Sequence, residues 1–596
     1  MRTYQRKQKL RRTIAFALTV CMLFVMLPAG KARAEDTEVI PQTYVDDSFD
    51  VNAIPAYEPK GDSKILTYVH PEVFAQGDHI YRLKQDETLS SYAFLNRDGT
   101  KTVYYLDEAV KFTAADGSIR EKDLTLTAAM KGYQTAENDI GLHISENPAA
   151  GIRIAYNNKQ ITLLPNGGSG AGQLSGNTVR YEGYYGEDTA LVYTPTLNGV
   201  KEEIILSSYT GQNEFVFYIN TGGLYLYQTG DRYYLAEGKG STYRIWLGQI
   251  EVFDRNLKPC KGEMTAETIL AGQRYKLTVS VSEAYLTDPD TAYPVTVDPT
   301  LTVSDAQTGA NAIQDAPIYE GYPTSNFGSY QYNRAGYAGT AYKKGRTAVK
   351  LSGLLSDSGY MNAVAGEITS AQFYMADASG TSNAYVKVYA LSSNSTWTEN
   401  TVTWNNAGTT ASTPYANIAP PAGGFGCFDI TDLVKAWKNG SYSSGQCGFL
   451  LRGNNEVSTD KVLYSCEHST SAMRPYVTVT YSTGSRTVNI TNTVISVNEN
   501  STKALTATTS PSGLTVTWTS SNPSVATVSS SGVVSGIKAG TATITASVDG
   551  GATDACTVYV VKPGRVYYIR NSTSVNFMDG GGANIAPENL TNIRQK

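Results

Sequence analysis

The sequence predicts an all-β, multidomain protein, and three observations carry that prediction. Only 17% of its 596 residues are charged, whereas tyrosine reaches 42 and glycine 54. Such a composition favours extended chain, because β-branched and aromatic side chains suit a half-buried pleated surface. Short alternating runs are separated by Asp98-Gly99, Asp116-Gly117, Asn166-Gly167 and Asn198-Gly199, dipeptides that tolerate positive φ and permit tight hairpins. Finally, one segment alone reads as a helix, Thr431 to Lys438. There Thr431 can cap the start, Leu433 and Trp437 share a face, and Asn439-Gly440 ends the run. A chain of this length holds three or more domains.

Residues 1–34 read as a signal peptide: a basic start, an apolar run from Thr13 to Leu27, then Ala32-Arg33-Ala34. Cleavage is expected between Ala34 and Glu35. The apolar run is shorter than the roughly 20 residues that span a bilayer, so no membrane insertion is expected once the leader is gone. Its loss takes eight basic residues and moves the net charge from −5 to about −13, which disfavours nucleic acid and anionic membranes as partners.

Residues 35–62 form a lead-in with proline, acids and no periodicity. Residues 63–300 form a β-rich N-terminal region, exemplified by the runs Lys101–Tyr105 and Glu214–Tyr218. It closes at Tyr293-Pro-Val-Thr-Val-Asp-Pro299, where proline restricts the chain on either side. Residues 301–482 form a second β-rich block ending in Pro475-Tyr-Val-Thr-Val-Thr-Tyr481, whose alternation puts Val477, Val479 and Tyr481 on one face. After a Ser-Thr-Gly-Ser link, residues 486–562 suggest a small β-sandwich. Residues 563–596 hold one apolar strand and a glycine-rich end.

Catalytic signals are sparse. Histidine occurs four times, with no nucleophile elbow and no paired spacing. Glycoside cleavage needs two carboxylates across a bond. The adjacent pairs Glu187/Asp188 and Glu202/Glu203 would point to opposite faces of a strand and read as solvated edges. The reading is therefore not an enzyme, with no catalytic residue and no cofactor. Beyond the leader the cysteines are Cys260, Cys427, Cys447, Cys466 and Cys556, an odd number without metal-ligand spacing. Cys447 and Cys466 flank an expected hairpin, where either a cross-strand disulfide or two buried thiols would fit. No EF-hand spacing appears, so no metal site is assigned.

Aromatic side chains are the better candidates for function, because sugars stack their C–H faces on exposed rings and offer hydroxyls to polar groups. Tyr330, Tyr332, Asn333, Arg334, Tyr337 and Tyr342 crowd a Gly/Asn-rich stretch that reads as a loop and are the candidate ligand-binding residues. Trp397 and Trp404, seven residues apart, would face opposite sides of a straight strand unless the chain bends near Thr398–Asn400. At least one of them is expected in a core, together with Trp437.

Several motifs go beyond composition. Residues 301–482 contain Asn326-Phe-Gly328, Gly345-Arg-Thr-Ala-Val-Lys350, Trp397–Asn406, Phe428-Asp-Ile-Thr-Asp-Leu-Val434 and Cys447-Gly-Phe-Leu-Leu451. They resemble the DNRLRE domain, or family 96 carbohydrate-binding module. Lys350-Leu-Ser-Gly353 departs from that family's Lys-Phe-Asp type of run. Residues 486–562, with Trp518-Thr-Ser-Ser-Asn-Pro523 and Gly540-Thr-Ala-Thr-Ile-Thr-Ala546, resemble the bacterial Ig-like group 2 domain, often a spacer. Residues 180–300 are similar to the region preceding the module in wall-associated and RHS-repeat secreted proteins. Val566-Tyr-Tyr-Ile-Arg-Asn571 resembles the opening of a ricin-type β-trefoil lectin, cut off within its first repeat as in a truncated reading frame. These resemblances imply a secreted, non-catalytic protein, of cell-wall or extracellular location, that binds a polysaccharide or cell-wall glycan. A surface or adhesion scaffold without a sugar ligand, or the front end of a larger secreted enzyme or toxin, are the alternatives.

Overall fold

Tight turns set the strand order. Asp98 Oδ1 accepts from the Thr100 N–H at 2.9 Å and Gly99 takes φ +84°, closing a hairpin between Ser91–Asn96 and Lys101–Leu106. Asp116-Gly117 closes Lys111–Thr113 onto Ile119–Glu121, and Asn198-Gly199 closes Thr189–Thr196 onto Gly199–Leu206. Asn166-Gly167 instead ends the strand Lys159–Asn166 and leads into a loop.

This computed structural model describes residues 54–60 and 64–562, together with two strands at 567–571 and 574–578; left out are short stretches at 157, 169, 230–231, 242, 305–311, 381–383, 393–396, 443–446, 483–485, 511–513 and 549–551. The leader, the Ala34–Glu35 cleavage site and most of the lead-in lie outside the described residues. The described chain falls into two compact units. One runs to Ala363 and resumes at Thr369–Tyr481; the other comprises Val364–Ile368 and the chain from Ser482 onward. The fold is all-β throughout.

The first unit holds two β-sandwiches. In one, an eight-stranded sheet and an eleven-stranded sheet built from residues 123–304 face each other. Alternate residues of Lys159–Asn166, Glu214–Asn220 and Arg274–Ser280 (Ile161, Leu163, Phe215, Phe217, Leu277, Val279) share one core with Val179, Tyr181, Leu191 and Ile204. This is the period-2 pattern of two sheets each buried on its inner face. The second sandwich sets a seven-stranded sheet, containing Gln314–Tyr319, Tyr332–Tyr337, Lys344–Lys350, Val386–Ala390, Gly448–Gly453 and Asp460–Tyr464, against a six-stranded one. Phe373 and Phe449 meet between them edge-to-face, 5.2 Å apart.

The six-stranded sheet is assembled from distant parts of the chain. His79–Arg82, Ser91–Asn96 and Lys101–Leu106 lie beside Tyr476–Tyr481, followed by Ile368–Ala376 and Phe425–Asp429. Lys101–Leu106 and Tyr476–Tyr481 pair antiparallel along their whole length, Val103 opposite Val479. Tyr476–Tyr481 is therefore a central strand. Val477, Val479 and Tyr481 are buried as the alternation predicts, but Tyr476 and Thr478 are buried too. Tyr104 and Tyr374 pack against Tyr476 on that second face.

The helix forms at Thr431–Lys438 and buries Leu433, Val434 and Trp437. Its start differs from expectation. Ile430 is the N-cap residue and makes no side-chain cap bond, while Asp429 Oδ1, one residue earlier, accepts from the Thr431 N–H at 2.9 Å and from its hydroxyl at 2.6 Å. No disulfide joins Cys447 and Cys466. The strands beside them, Gly448–Gly453 and Asp460–Tyr464, are not neighbours: Lys344–Lys350 and Tyr332–Tyr337 lie between them in the sheet. That places the two cysteines far beyond the roughly 7 Å Cα separation a disulfide spans.

In the second unit, Val494–Asn498 pairs parallel with Thr553–Val561, which continues antiparallel to Gly540–Ser547 and on to Thr517–Ser520. The three-stranded sheet of Thr502–Ala504, Val533–Gly536 and Ala526–Val528 completes the sandwich. Ile495, Val497, Val534, Ile544 and Val558 form its core, with Trp518 packed on it. Gly532, at φ +81°, leaves room for that ring: a Cβ there would sit 3.0 Å from Trp518 and 2.8 Å from the Leu505 carbonyl oxygen. Beyond it, Tyr567–Asn571 and Ser574–Met578 form a two-stranded hairpin.

Glu202 overturns the solvated-edge reading. It does point away from Glu203, but its side chain is buried, and it accepts from the Tyr193 hydroxyl at 2.6 Å. Burial, reinforced by Asp298, lifts its carboxyl to about 8. A carboxyl raised in the folded chain stabilises the fold fully below its unfolded pKa, near 4.5, and loses that contribution as pH climbs through about 8. Glu202→Gln keeps the acceptor and cannot ionise. Its melting temperature, measured by calorimetry from pH 5 to 9, should fall less steeply than the parent's, so that the variant gains relative stability above pH 7; parallel profiles would exclude this titration.

Candidate functional site

The tyrosine stretch folds into core. Tyr330 and Tyr342 join Tyr319 and Phe327 in one buried cluster, with Tyr322 packed against it. Phe327 meets Tyr319 and Tyr330 edge-to-face at 4.9 and 5.1 Å. Asn333 and Arg334 are buried within the strand Tyr332–Tyr337, and Tyr332 and Tyr337 are half-buried. This corrects the loop reading. Glycine and asparagine there serve close strand packing, and a ring wrapped by other rings has no face left for a sugar. Arg334 is committed to Asp460 and to the Leu257 carbonyl.

The tryptophan segment is not a strand but a series of turns, so its seven-residue spacing does not separate the rings. Trp397 is buried and Trp404 half-buried, and both pack on Ala316, Ile318, Ala348 and Leu450 of the seven-stranded sheet. Trp397 Nε1 donates to the Ala407 carbonyl at 3.0 Å, and Lys350 Nζ stands 3.9 Å above its ring. Burial pushes the Lys350 ammonium down to about 8. The motif Asn326-Phe327-Gly328 clamps this loop. Asn326 Nδ2 donates to the Glu399 and Val402 carbonyls, each at 2.7 Å. A Cβ on Gly328 would meet the Glu399 carbonyl oxygen at 2.1 Å.

Beside the loop, the same sheet face carries a strip of half-buried polar and aromatic groups. Arg346 lies over the Trp404 ring at 4.6 Å and forms a two-pronged pair with Glu456 at 2.6 and 2.8 Å. Arg452, opposite Arg346 on the adjacent strand, lies over Tyr389 at 4.7 Å and donates to the Thr410 hydroxyl at 2.7 Å. Burial and the neighbouring Arg346 lower the Arg452 pKa, and its Nε has no hydrogen-bond partner. Lys387 faces Arg452 from the next strand. Flat guanidinium planes stacked on rings, with donors and a carboxylate along the edges, match what a sugar chain offers: C–H faces and hydroxyls in alternation. Sequence reading missed this strip because its members come from four separate segments. The visible signal was Arg346 within Gly345-Arg-Thr-Ala-Val-Lys350.

Two other places gather charged groups. A cleft of about 820 Å³ is lined by Arg82, Lys111, Glu87 and Glu121. These groups pair with one another at 2.7 to 2.8 Å, Arg82 with Glu87 and Glu121, and Lys111 with Glu87, leaving Arg82 Nη1 without a hydrogen-bond partner. Asp315, Glu399 and Glu467 converge with carboxylate oxygens within 4.8 Å of one another. They are the described residues whose arrangement could hold a metal ion. No helix among the described residues is long and apolar enough to cross a membrane.

Residues 306–481 match the model of carbohydrate-binding module family 96, and residues 486–558 that of the bacterial Ig-like domain, group 2. These segments are thus a family 96 module and a group 2 Ig-like domain, both non-catalytic types. The tRNA nuclease WapA of Bacillus subtilis (strain 168) and the tRNA3(Ser)-specific nuclease WapA of Bacillus spizizenii are each 22% identical over 342 residues. The matched part is 54% of this chain and 14% of theirs, so this chain spans only a small part of these relatives. Among solved structures, the S-layer protein rSbsC shares 13% identity over 64% of this chain and 57% of its own, at a TM-score of 0.15. A family GH92 α-mannosidase from Bacteroides thetaiotaomicron shares 10% over 35% and 29%, also at 0.15.

The two tryptophans should separate in stability. Trp397→Ala removes a buried ring and should cost about 3–5 kcal/mol, whereas Trp404→Ala, half in solvent, should cost well under half of that; urea denaturation of the purified chain checks both.

Proposed function

We propose that the protein is exported and attaches, without catalysing a reaction, to a polysaccharide or cell-wall glycan through the Trp404–Arg346–Arg452–Tyr389 strip of its family 96 module. The observation that supports this most is the coincidence of a carbohydrate-binding family match with a half-exposed strip of stacked guanidinium and aromatic groups on that module. The leader-like residues 1–34 support export, and the Ig-like domain supports a spacer role for the C-terminal unit. A surface scaffold without a sugar ligand is the competing reading.

Electrophoresis of the full chain through gels containing single soluble polysaccharides, neutral and acidic, tests the site. Retarded migration is expected in at least one gel. Arg346→Ala and Arg452→Ala should each weaken that retardation about tenfold or more, in line with the 1.5–3 kcal/mol of a charged hydrogen bond, without unfolding the chain. Tyr330→Phe, in the buried cluster, should leave it unchanged. Unretarded migration in every gel, with no pull-down by purified cell walls, would favour the scaffold.

A further inference from the structure

Lys201 and Asp298 meet in the interior, on the neighbouring strands Gly199–Leu206 and Val295–Asp298 of the eleven-stranded sheet. Their side chains are 1% and 2% exposed, and Lys201 Nζ stands 3.1 Å from Asp298 Oδ2. Yet that nitrogen completes no hydrogen bond, so the two groups are close without the alignment of one. A buried ammonium ordinarily spends its donors on acceptors, because an unpaired one is costly. An amine held against a carboxyl group in this way is placed like a nucleophile.

The carboxyl group is fixed for attack. Thr300 Oγ1 donates to Asp298 Oδ1 at 2.5 Å, and Gln331 Nε2 donates to Oδ2 at 2.9 Å. Each oxygen thus carries a donor, and such donors stabilise the charge of a tetrahedral intermediate. Glu251 lies directly opposite Asp298 on the strand Glu251–Phe253, so both side chains share one face of the sheet. Gln331 ties the two acids together, because its backbone N–H donates to Glu251 Oε2 at 2.8 Å. Burial, then Asp298, raises the Glu251 carboxyl to about 8, which lets it hold a proton near neutral pH.

An ordinary buried ion pair in the same chain looks different. Lys461 and Asp377 are fully buried and also 3.1 Å apart, but Lys461 Nζ donates to the Pro420 carbonyl at 3.1 Å. Asp377 there accepts from the Ser379 and Gly423 N–H groups.

We propose that Lys201 and Asp298 condense into an amide cross-link between their strands, with Glu251 moving the proton. The atoms balance without a cofactor or an oxidant. The Lys201 ammonium gives one proton to the Asp298 carboxylate, and the freed lone pair forms the C–N bond at Cγ. Glu251 then protonates the departing oxygen and regains a proton from the nitrogen. One C–O bond breaks, and a water leaves with two of the ammonium protons while the third stays on the amide nitrogen. Burial favours this product, since a neutral amide replaces two charges taken out of water. The bond staples the sheet covalently in a chain with no disulfide among the described residues.

Mass spectrometry of the denatured full chain, with tryptic mapping, is the test. The chain should be lighter than its amino-acid sequence requires by one water, and residues 181–232, uncut after Lys201, should be joined to residues 277–334. Lys201→Arg and Asp298→Ala should each abolish the joined peptide. Glu251→Gln keeps an acceptor for the Gln331 N–H; it should restore the full mass and lower the melting temperature by several degrees, with the parent's circular dichroism. If a variant fails to fold, the mass and map of the parent still decide. A parent of full mass that trypsin cuts after Lys201 would overturn the proposal and leave an ion pair. Water loss mapped to Lys461, or to a bond from Lys201 to Glu203, would overturn it too.

Discussion

The pairing of Lys101–Leu106 with Tyr476–Tyr481 is the constraint on which the first unit rests. Six residue pairs, 370 to 380 positions apart in sequence, convert what would be the edge of the module's sheet into its middle. An exposed edge presents a row of unpaired donors and acceptors that invites association with other chains. Here the N-terminal hairpin covers it, and Tyr105 adds side-chain bonds to Asp357 at 2.9 Å and to Tyr481 at 3.0 Å. The family match begins only at residue 306, yet the sheet it belongs to starts at His79. The module's edge strand is supplied from outside the matched segment.

A second joint is polar. Lys201 pairs with Asp298 at 3.1 Å, and Gln331 donates to Asp298 at 2.9 Å through its side chain and to Glu251 at 2.8 Å through its backbone N–H. All four are buried. Burial, then Asp298, lifts Glu251 to about 8, so this joint favours one registry between the two sandwiches through hydrogen bonds rather than through apolar area. Breaking one member leaves the others stranded, which makes such joints specific more than strong.

How much of this was legible follows from what is local. Hairpins at Asp98-Gly99, Asp116-Gly117 and Asn198-Gly199 were readable because turn geometry is decided within four residues. The helix at 431–438 was readable from Leu433 and Trp437 for the same reason. The roles of Tyr330 and Tyr342 were not, because their burial depends on Tyr319 and Phe327 packing onto them. The strip of Arg346, Trp404, Arg452 and Tyr389 and the trio of Asp315, Glu399 and Glu467 were invisible for a related reason: each assembles residues from separate segments, and no spacing along the chain encodes their meeting. Trp397 and Trp404 show the limit most clearly. Alternation separates residues seven apart only along a strand, and this segment is turns.

The parallel pairing of Val494–Asn498 with Thr553–Val561 has a mechanical meaning. In that geometry, pulling the two ends of the pair apart along the strands loads five residue pairs together, from Val494 opposite Thr557 to Asn498 opposite Val561. The hydrogen bonds must then fail in shear, all at once, rather than unzip singly. A domain built this way resists tension applied along its paired strands.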